Sequence, residues 1–351
     1  MLREETKTLL FEGTVIPAHP LALNANLQLD ENRQRGLTRY YMASGAGGIA
    51  IGVHTTQFEI RDPEFNLFEK VLEITADEIE KANLERPFIK VAGVCGLTDQ
   101  AVNEANIAVR YGYDMGLVSM AAFKNESESE IIEHIKIIAA IIPVFGFYLQ
   151  AAIGGRIYTY DFWQQFAEIP NVCAIKVAAF NRYQTLDVVR AVCSSSRKDE
   201  IALYTGNDDN IIADLITPFR FTIDGEIVEK GFVGGLLGHW AVWTEKAVSL
   251  LASIKNPSPD DQFLQNMLAI NVAVTDMNAA IFDPAHNFHG CITGVHEVLR
   301  RQGLLEGIWT LNPDENLSPG QYEEITRVTE AYPHLVDDEF VASLLESNET
   351  W

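Results

Sequence analysis

Strand and helix patterns alternate along the first two thirds of this chain, and no other feature restricts its fold as much. Short apolar runs at 14–18, 48–53, 88–92, 115–119, 144–148, 173–177, 201–204 and 231–235 read as strands. Helical periodicity lies between them, beginning near Asp30, Asp62, Thr98, Ser127, Thr159, Tyr183, Asp208 and Gly238. Several of these are capping residues, and Ser127 followed by Glu130 has the form of a capping box. Eight strand–helix units in about 240 residues predict a (β/α)8 barrel. The main competitor, a doubly wound open sheet, needs a glycine-rich turn after its first strand. Here that turn begins His19-Pro20-Leu21-Ala22. Gly45, Gly47 and Gly48 follow a helix and precede a strand, the reverse of a dinucleotide-binding order, and read as a helix C-cap.

Residues 221–230 carry Asp224-Gly225 and predict a short hairpin or extended loop before the last strand. Beyond Pro257 the pattern is helical, at 260–281, 290–302, 319–331 and 337–345, punctuated by Pro284, Pro313 and Pro333. The expected organisation is a barrel with the catalytic site over residues 1–257 and a C-terminal helical extension over residues 258–351, packed on the barrel or on another subunit.

With 26 Lys+Arg against 49 Asp+Glu, the net charge is −23. Such a field repels nucleic-acid phosphate and anionic lipid, so neither is an expected partner. No run reaches the roughly 18 apolar residues of a membrane helix, and the N-terminus is too charged for a signal peptide. Cys95, Cys173, Cys193 and Cys291 are scattered, without a CxxC, and read as reduced thiols of a cytoplasmic protein. His286, His289 and Cys291 have the residue types of a metal site. Pro284 and Gly290 break the helix there, however, and no further ligand has diagnostic spacing, so no metal is expected. The run Gly206-Asn207-Asp208-Asp209-Asn210 reads as a helix N-cap rather than a cation loop. The glycines between Gly231 and Gly238 come without basic residues and read as close backbone approach rather than phosphate binding.

The most informative segment is Asn171-Val172-Cys173-Ala174-Ile175-Lys176-Val177. Alternation puts Val172, Ala174 and Lys176 on one face, and the bulkier set on the other, toward the helices. Lys176 is then inside, near the C-terminal rim where barrel active sites lie. Two readings stand open. Desolvation lowers an ammonium pKa and yields a neutral amine able to attack a carbonyl; alternatively, the lysine snorkels to solvent. By the same rule Val144, Gly146 and Tyr148 face inward, with Phe145 and Phe147 toward the helices. Tyr148 is then either a proton shuttle beside the amine or a core tyrosine. Thr55 and Thr56, after the second strand, either hold a carboxylate or cap a turn.

Taken together, Gly13 to Pro20, Ser44-Gly45, His54-Thr55-Thr56, Ala92-Gly93 with Thr98, Tyr148 and Ile175-Lys176 resemble the dihydrodipicolinate synthase/N-acetylneuraminate lyase family over roughly residues 11 to 305. The resemblance implies a (β/α)8 (TIM) barrel with C-terminal helices, usually a tetramer built from dimers. It implies a class I aldolase or related lyase or dehydratase that needs no dissociable cofactor. It assigns the Schiff-base lysine to Lys176, the proton relay to Tyr148, carboxylate binding to Thr55 and Thr56, and a substrate-facing main-chain carbonyl to Val233. The expected substrate is a small 2-oxo acid such as pyruvate, joined to or cleaved from a second molecule through a lysine imine.

The departures shape the acceptor. Gln57-Phe58 stands where the family commonly has Gly-Glu, Phe123 stands at a second relay tyrosine, and Ile153 stands at an arginine, with Arg156 three residues on. Loss of that guanidinium predicts that aspartate semialdehyde is not the acceptor. A dehydratase or hydratase-aldolase working through the same imine, or a catalytically silent metabolite-binding barrel, are the alternatives.

Overall fold

The computed structural model describes residues 2–347, so the last four residues of the expected 258–351 extension lie outside it. All eight expected barrel strands form: β1 (Val15–Pro17), β2 (Gly48–Ile51), β3 (Ile89–Val94), β4 (Met115–Ser119), β5 (Val144–Leu149), β6 (Val172–Ala178), β7 (Ala202–Thr205) and, after the hairpin strands β8 (Phe219–Ile223) and β9 (Glu226–Lys230), β10 (Phe232–Leu237). They join in one sheet in the order β1-β10-β7-β6-β5-β4-β3-β2. The pairs from β3 through β7 to β10 are parallel, with helices between successive strands. This is the (β/α)8 barrel topology. The hairpin turns at Asp224 and Gly225, with φ of 51° and 86°, the positive pair that an Asp-Gly turn supplies.

Capping fixes most helix starts where the sequence places them. Ser127 and Glu130 cap each other reciprocally, Thr159 accepts from the Phe162 N–H, and Asn181 accepts from Tyr183 and Gln184. Three starts differ. The helix expected near Asp62 begins at Phe68, because Pro63 and a left-handed Asn66 (φ 47°) hold the preceding segment in a turn. The helix expected near Gly238 begins at Thr244, after Trp243 in the left-handed region. The helix expected at Asp208 is only Ile211–Ile216, and its cap residue Asn210 makes no side-chain capping bond. A helix at Glu4–Glu12 was not expected from the periodicity.

The chain divides into two compact units, one of residues 1–14 and 89–236, the other of 15–88 and 237–351. In the first, the helix Tyr160–Ala167 presses Phe162, Trp163 and Phe166, all buried, onto the sheet. In the second, the helices Glu31–Ala43, Phe263–Phe282, Cys291–Arg301, Gln321–Ala331 and Asp338–Ser347 share one apolar core around Tyr40, Tyr41, Ile281, Leu299 and Ile325. The Tyr40 hydroxyl donates to Asp337 at 2.7 Å and accepts from the Thr244 N–H at 2.8 Å. Among the described residues no helix is long and apolar enough to cross a membrane, and none of the four cysteines forms a disulfide.

Candidate active site

Lys176 lies two residues before the C-terminal end of β6 and is 7% exposed. Its register partners are Phe147 on β5 and Tyr204 on β7. Paired residues of neighbouring strands point to the same side of a sheet. The three side chains therefore share a face, and contacts confirm it. The Lys176 ammonium sits 4.4 Å from the Phe147 ring centroid, and Phe145 meets Tyr204 edge-on at 5.3 Å. The Tyr204 hydroxyl is spent on the Leu10 carbonyl at 2.9 Å. The lysine stem runs over Gly206, at the end of β7. A Cβ there would lie 2.5 Å from Lys176 Cε and 2.9 Å from Cγ, so any side chain at 206 would push the stem aside. Burial pulls the Lys176 pKa from 10.5 down to about 8, against the opposing pull of Asp208.

Tyr148 is on the other face. Its ring packs on Trp163 at 4.9 Å and on Tyr158 at 5.9 Å, within the aromatic layer of the outer helix. Its buried hydroxyl leans on the Tyr158 main chain without a well-formed hydrogen bond. The expectation that Val144, Gly146 and Tyr148 face inward beside Lys176 is thus corrected. The cause is the helix Tyr160–Ala167. It fills the outer space with its own aromatics, so the strand must offer its small residue there. A Cβ on Gly146 would lie 2.6 Å from Phe166 Cζ. With Gly146 turned outward, Phe145 and Phe147 turn inward.

Val233, on β10, packs its carbonyl against Gly13. A Cβ at Gly13, whose φ is 85°, would lie 1.8 Å from that oxygen. The carbonyl expected to face a substrate is therefore backed by main chain.

Thr55 and Thr56 belong to the other unit. Thr55 Oγ1 donates to the Ala18 carbonyl at 2.8 Å, and Thr56 Oγ1 donates to that of His19 at 2.7 Å. Thr56 Oγ1 also accepts from the Gly52 and Val53 N–H groups at 3.0 and 3.2 Å. A hydroxyl has one proton, and both are committed to backbone. The N–H groups of Thr56 and Gln57 are engaged with Val53 and His54. Both hydroxyls thus cap the turn. Gln57 Oε1 accepts from the Leu311 N–H at 2.6 Å and ties this turn to the segment 306–318. In that segment burial, with Glu59 nearby, raises the Glu315 carboxyl to about 7.

The substituted positions are also placed. Phe123 is buried with its ring 4.6 Å from that of His134. Arg156 donates to the Glu126 carbonyl at 2.6 Å, and Ile153 closes a short turn. His286 Nδ1 is 2.6 Å from Asp283, whose other oxygen receives Ser318 and the Gly290 N–H. The 206–210 turn is held from behind by Asn207. Its Nδ2 donates to Asp214 at 2.9 Å and its Oδ1 accepts from the Phe180 N–H at 2.9 Å. Sequence reasoning turned Phe147 toward the helices, read the run from Gly206 to Asn210 as a helix cap, and missed this network. The adjacency of β6 and β7 was the available signal, because it brings the residues after β7 beside those at the end of β6.

No family model matches the chain, and no curated protein is significantly similar to it in sequence. Solved structures are similar in shape. Dihydrodipicolinate synthase from Oceanobacillus iheyensis superposes with a TM-score of 0.73 at 16% identity, covering 94% of this chain and 99% of that one. N-acetylneuraminate lyase from Fusobacterium nucleatum, complexed with pyruvate, gives 0.70 at 16% identity, covering 93% and 99%. N-acetylneuraminate lyase from Mycoplasma synoviae gives 0.70 at 16% identity, covering 92% and 98%. What the chain shares with these enzymes is their fold, the (β/α)8 barrel with added C-terminal helices.

Proposed function

We propose that this protein is a lyase of the dihydrodipicolinate synthase/N-acetylneuraminate lyase family, working on a 2-oxo acid through an imine at Lys176. The observation that carries the reading is a lysine buried on the inner face, near the C-terminal end of its strand, with a lowered pKa. Burial costs the ammonium its hydration and raises the share of neutral amine, the form that attacks a keto carbon. The protonated imine then draws electrons from the adjacent carbon, so a bond to that carbon breaks or forms. The pyruvate complex of a lyase with this fold supports a 2-oxo acid as the substrate class. With Phe123 and Ile153 at the replaced positions, the acceptor is an uncharged or larger molecule rather than aspartate semialdehyde. The same reading carries a cytoplasmic homo-oligomer, a dimer or tetramer, with residues 1–257 as the barrel and 258–351 as its extension. No cofactor or metal figures in it.

A second reading, a catalytically silent metabolite-binding barrel, draws on the outward Tyr148 and the committed hydroxyls of Thr55 and Thr56. Proton exchange separates the two. An imine acidifies the neighbouring carbon, so the enzyme in D2O should exchange the pyruvate methyl protons, or those of another 2-oxo acid in a panel. The loss of signal is followed by NMR. Exchange that vanishes in Lys176→Ala supports the lyase. Absence of exchange with every oxo acid supports the silent barrel.

A further inference from the structure

We propose that Asp208, rather than Tyr148, is the group that exchanges protons with Lys176 during imine formation; this rests on the imine reading above. The argument is one of placement. Lys176 crosses Gly206 in close contact, and Asp208 follows two residues later, 5% exposed, with its N–H turned back to the Gly206 carbonyl at 3.1 Å. The polar groups behind the turn are committed elsewhere. Asp214 receives Thr205 at 2.8 Å, Asn207 at 2.9 Å and the Arg182 guanidinium, while Asn207 Nδ2 also reaches Thr185 at 3.3 Å. Asp209, the next carboxylate, is exposed. On the lysine's own face, Phe147 cannot carry a proton, and the Tyr204 hydroxyl is bonded to Leu10. Asp208 is the charge that opposes desolvation at Lys176.

The proton count closes without another reactant. Asp208 takes one proton from the Lys176 ammonium. The neutral amine adds to the keto carbon; the C–N bond forms and the carbonyl pair moves to oxygen. Through Asp208, one proton passes from nitrogen to that oxygen. The proton first taken then goes to the hydroxyl, which leaves as water as the nitrogen lone pair closes the C=N bond. The products are a protonated imine, water and the Asp208 carboxylate.

The test compares wild type with Asp208→Asn and Asp208→Glu in two assays. Competitive acetylation across pH, read by peptide mass spectrometry without substrate, gives the Lys176 midpoint. Pyruvate with cyanoborohydride, followed by intact mass, gives the rate of imine formation. Asp208→Asn should lower the midpoint, because the negative charge that favours the ammonium is gone. It should nevertheless slow trapping by about 10²-fold, the low end for losing a positioned proton carrier. Asp208→Glu should restore part of both. A merely structural role would not lower the midpoint while slowing the reaction. An unchanged midpoint with wild-type trapping in Asp208→Asn overturns the proposal. If that variant fails to fold, Asp208→Glu decides, since a wild-type midpoint and rate with a displaced carboxylate also overturn it. Wild-type protein that forms no adduct overturns the functional reading and the relay with it, and the substrate-free titration still decides the pairing.

Discussion

The lowered pKa of Lys176 gives a sharp quantitative expectation. An exposed lysine at 10.5 is neutral in about 0.03% of molecules at pH 7, whereas one at about 8 is neutral in about 10%, a gain of about 300-fold in attacking amine. Competitive acetylation measured from pH 6 to 11 should show Lys176 reactivity rising tenfold per pH unit and levelling near 8. The exposed Lys81 and Lys136 serve as internal references in the same digest. Stability should follow. The unfolded lysine holds its proton up to 10.5 and the folded one only to about 8, so between those values the unfolded state binds more protons. The Lys176 contribution to stability therefore rises with pH across that window, by up to about 3 kcal/mol, and is flat below it. A midpoint near 10 would refute the argument, since it would mean that water reaches the ammonium despite its burial.

Three further outcomes follow from particular contacts. Gly206→Ala places a methyl group on the Lys176 stem, so it should cost about 1–3 kcal/mol in urea unfolding and slow imine trapping by about 10²-fold through displacement of the amine; unchanged values in both would show that the stem has another path. Glu315→Gln should stabilise the protein at pH 8 by about 1–3 kcal/mol and be near neutral at pH 4. The folded pKa of about 7 lies above the ordinary 4.5, so the wild type loses stability as pH rises between them; equal effects at both pH values would contradict this. Tyr148→Phe should leave trapping within about threefold and stability within about 1 kcal/mol, since its hydroxyl has no well-formed bond, and a drop of 10²-fold or more would restore the relay role to Tyr148.

Much of the fold was legible because period-two strands and capped helices are local properties. The eight strands, the Asp-Gly hairpin and the Ser127 capping box stand where residue order places them. The inward face of Lys176 was legible for the same reason, since β6 sets small Ala174 against bulky Ile175 and Val177. The facing of β5 was not. Its glycine and phenylalanines turn according to how much room the helix Tyr160–Ala167 leaves, and that depends on Phe166, some twenty residues away. The Thr55-Thr56 pair looked alike in both readings until the carbonyls of Ala18 and His19 were placed beside it. Asp208 was hidden by its neighbours, because Asn-Asp-Asp-Asn before a helix has the composition of a cap. Only the close passage of Lys176 over Gly206 brings this turn beside the lysine.

The central claim is that Lys176 forms an imine with a 2-oxo acid. Borohydride added to the protein with pyruvate, or with each member of an oxo-acid panel, should leave a secondary amine that survives denaturation. Peptide mapping should place the added mass on Lys176, and both Lys176→Ala and Lys176→Arg should show none, since a guanidinium stays protonated and cannot attack. An adduct on a different lysine, or trapping undiminished in Lys176→Ala, would contradict the account.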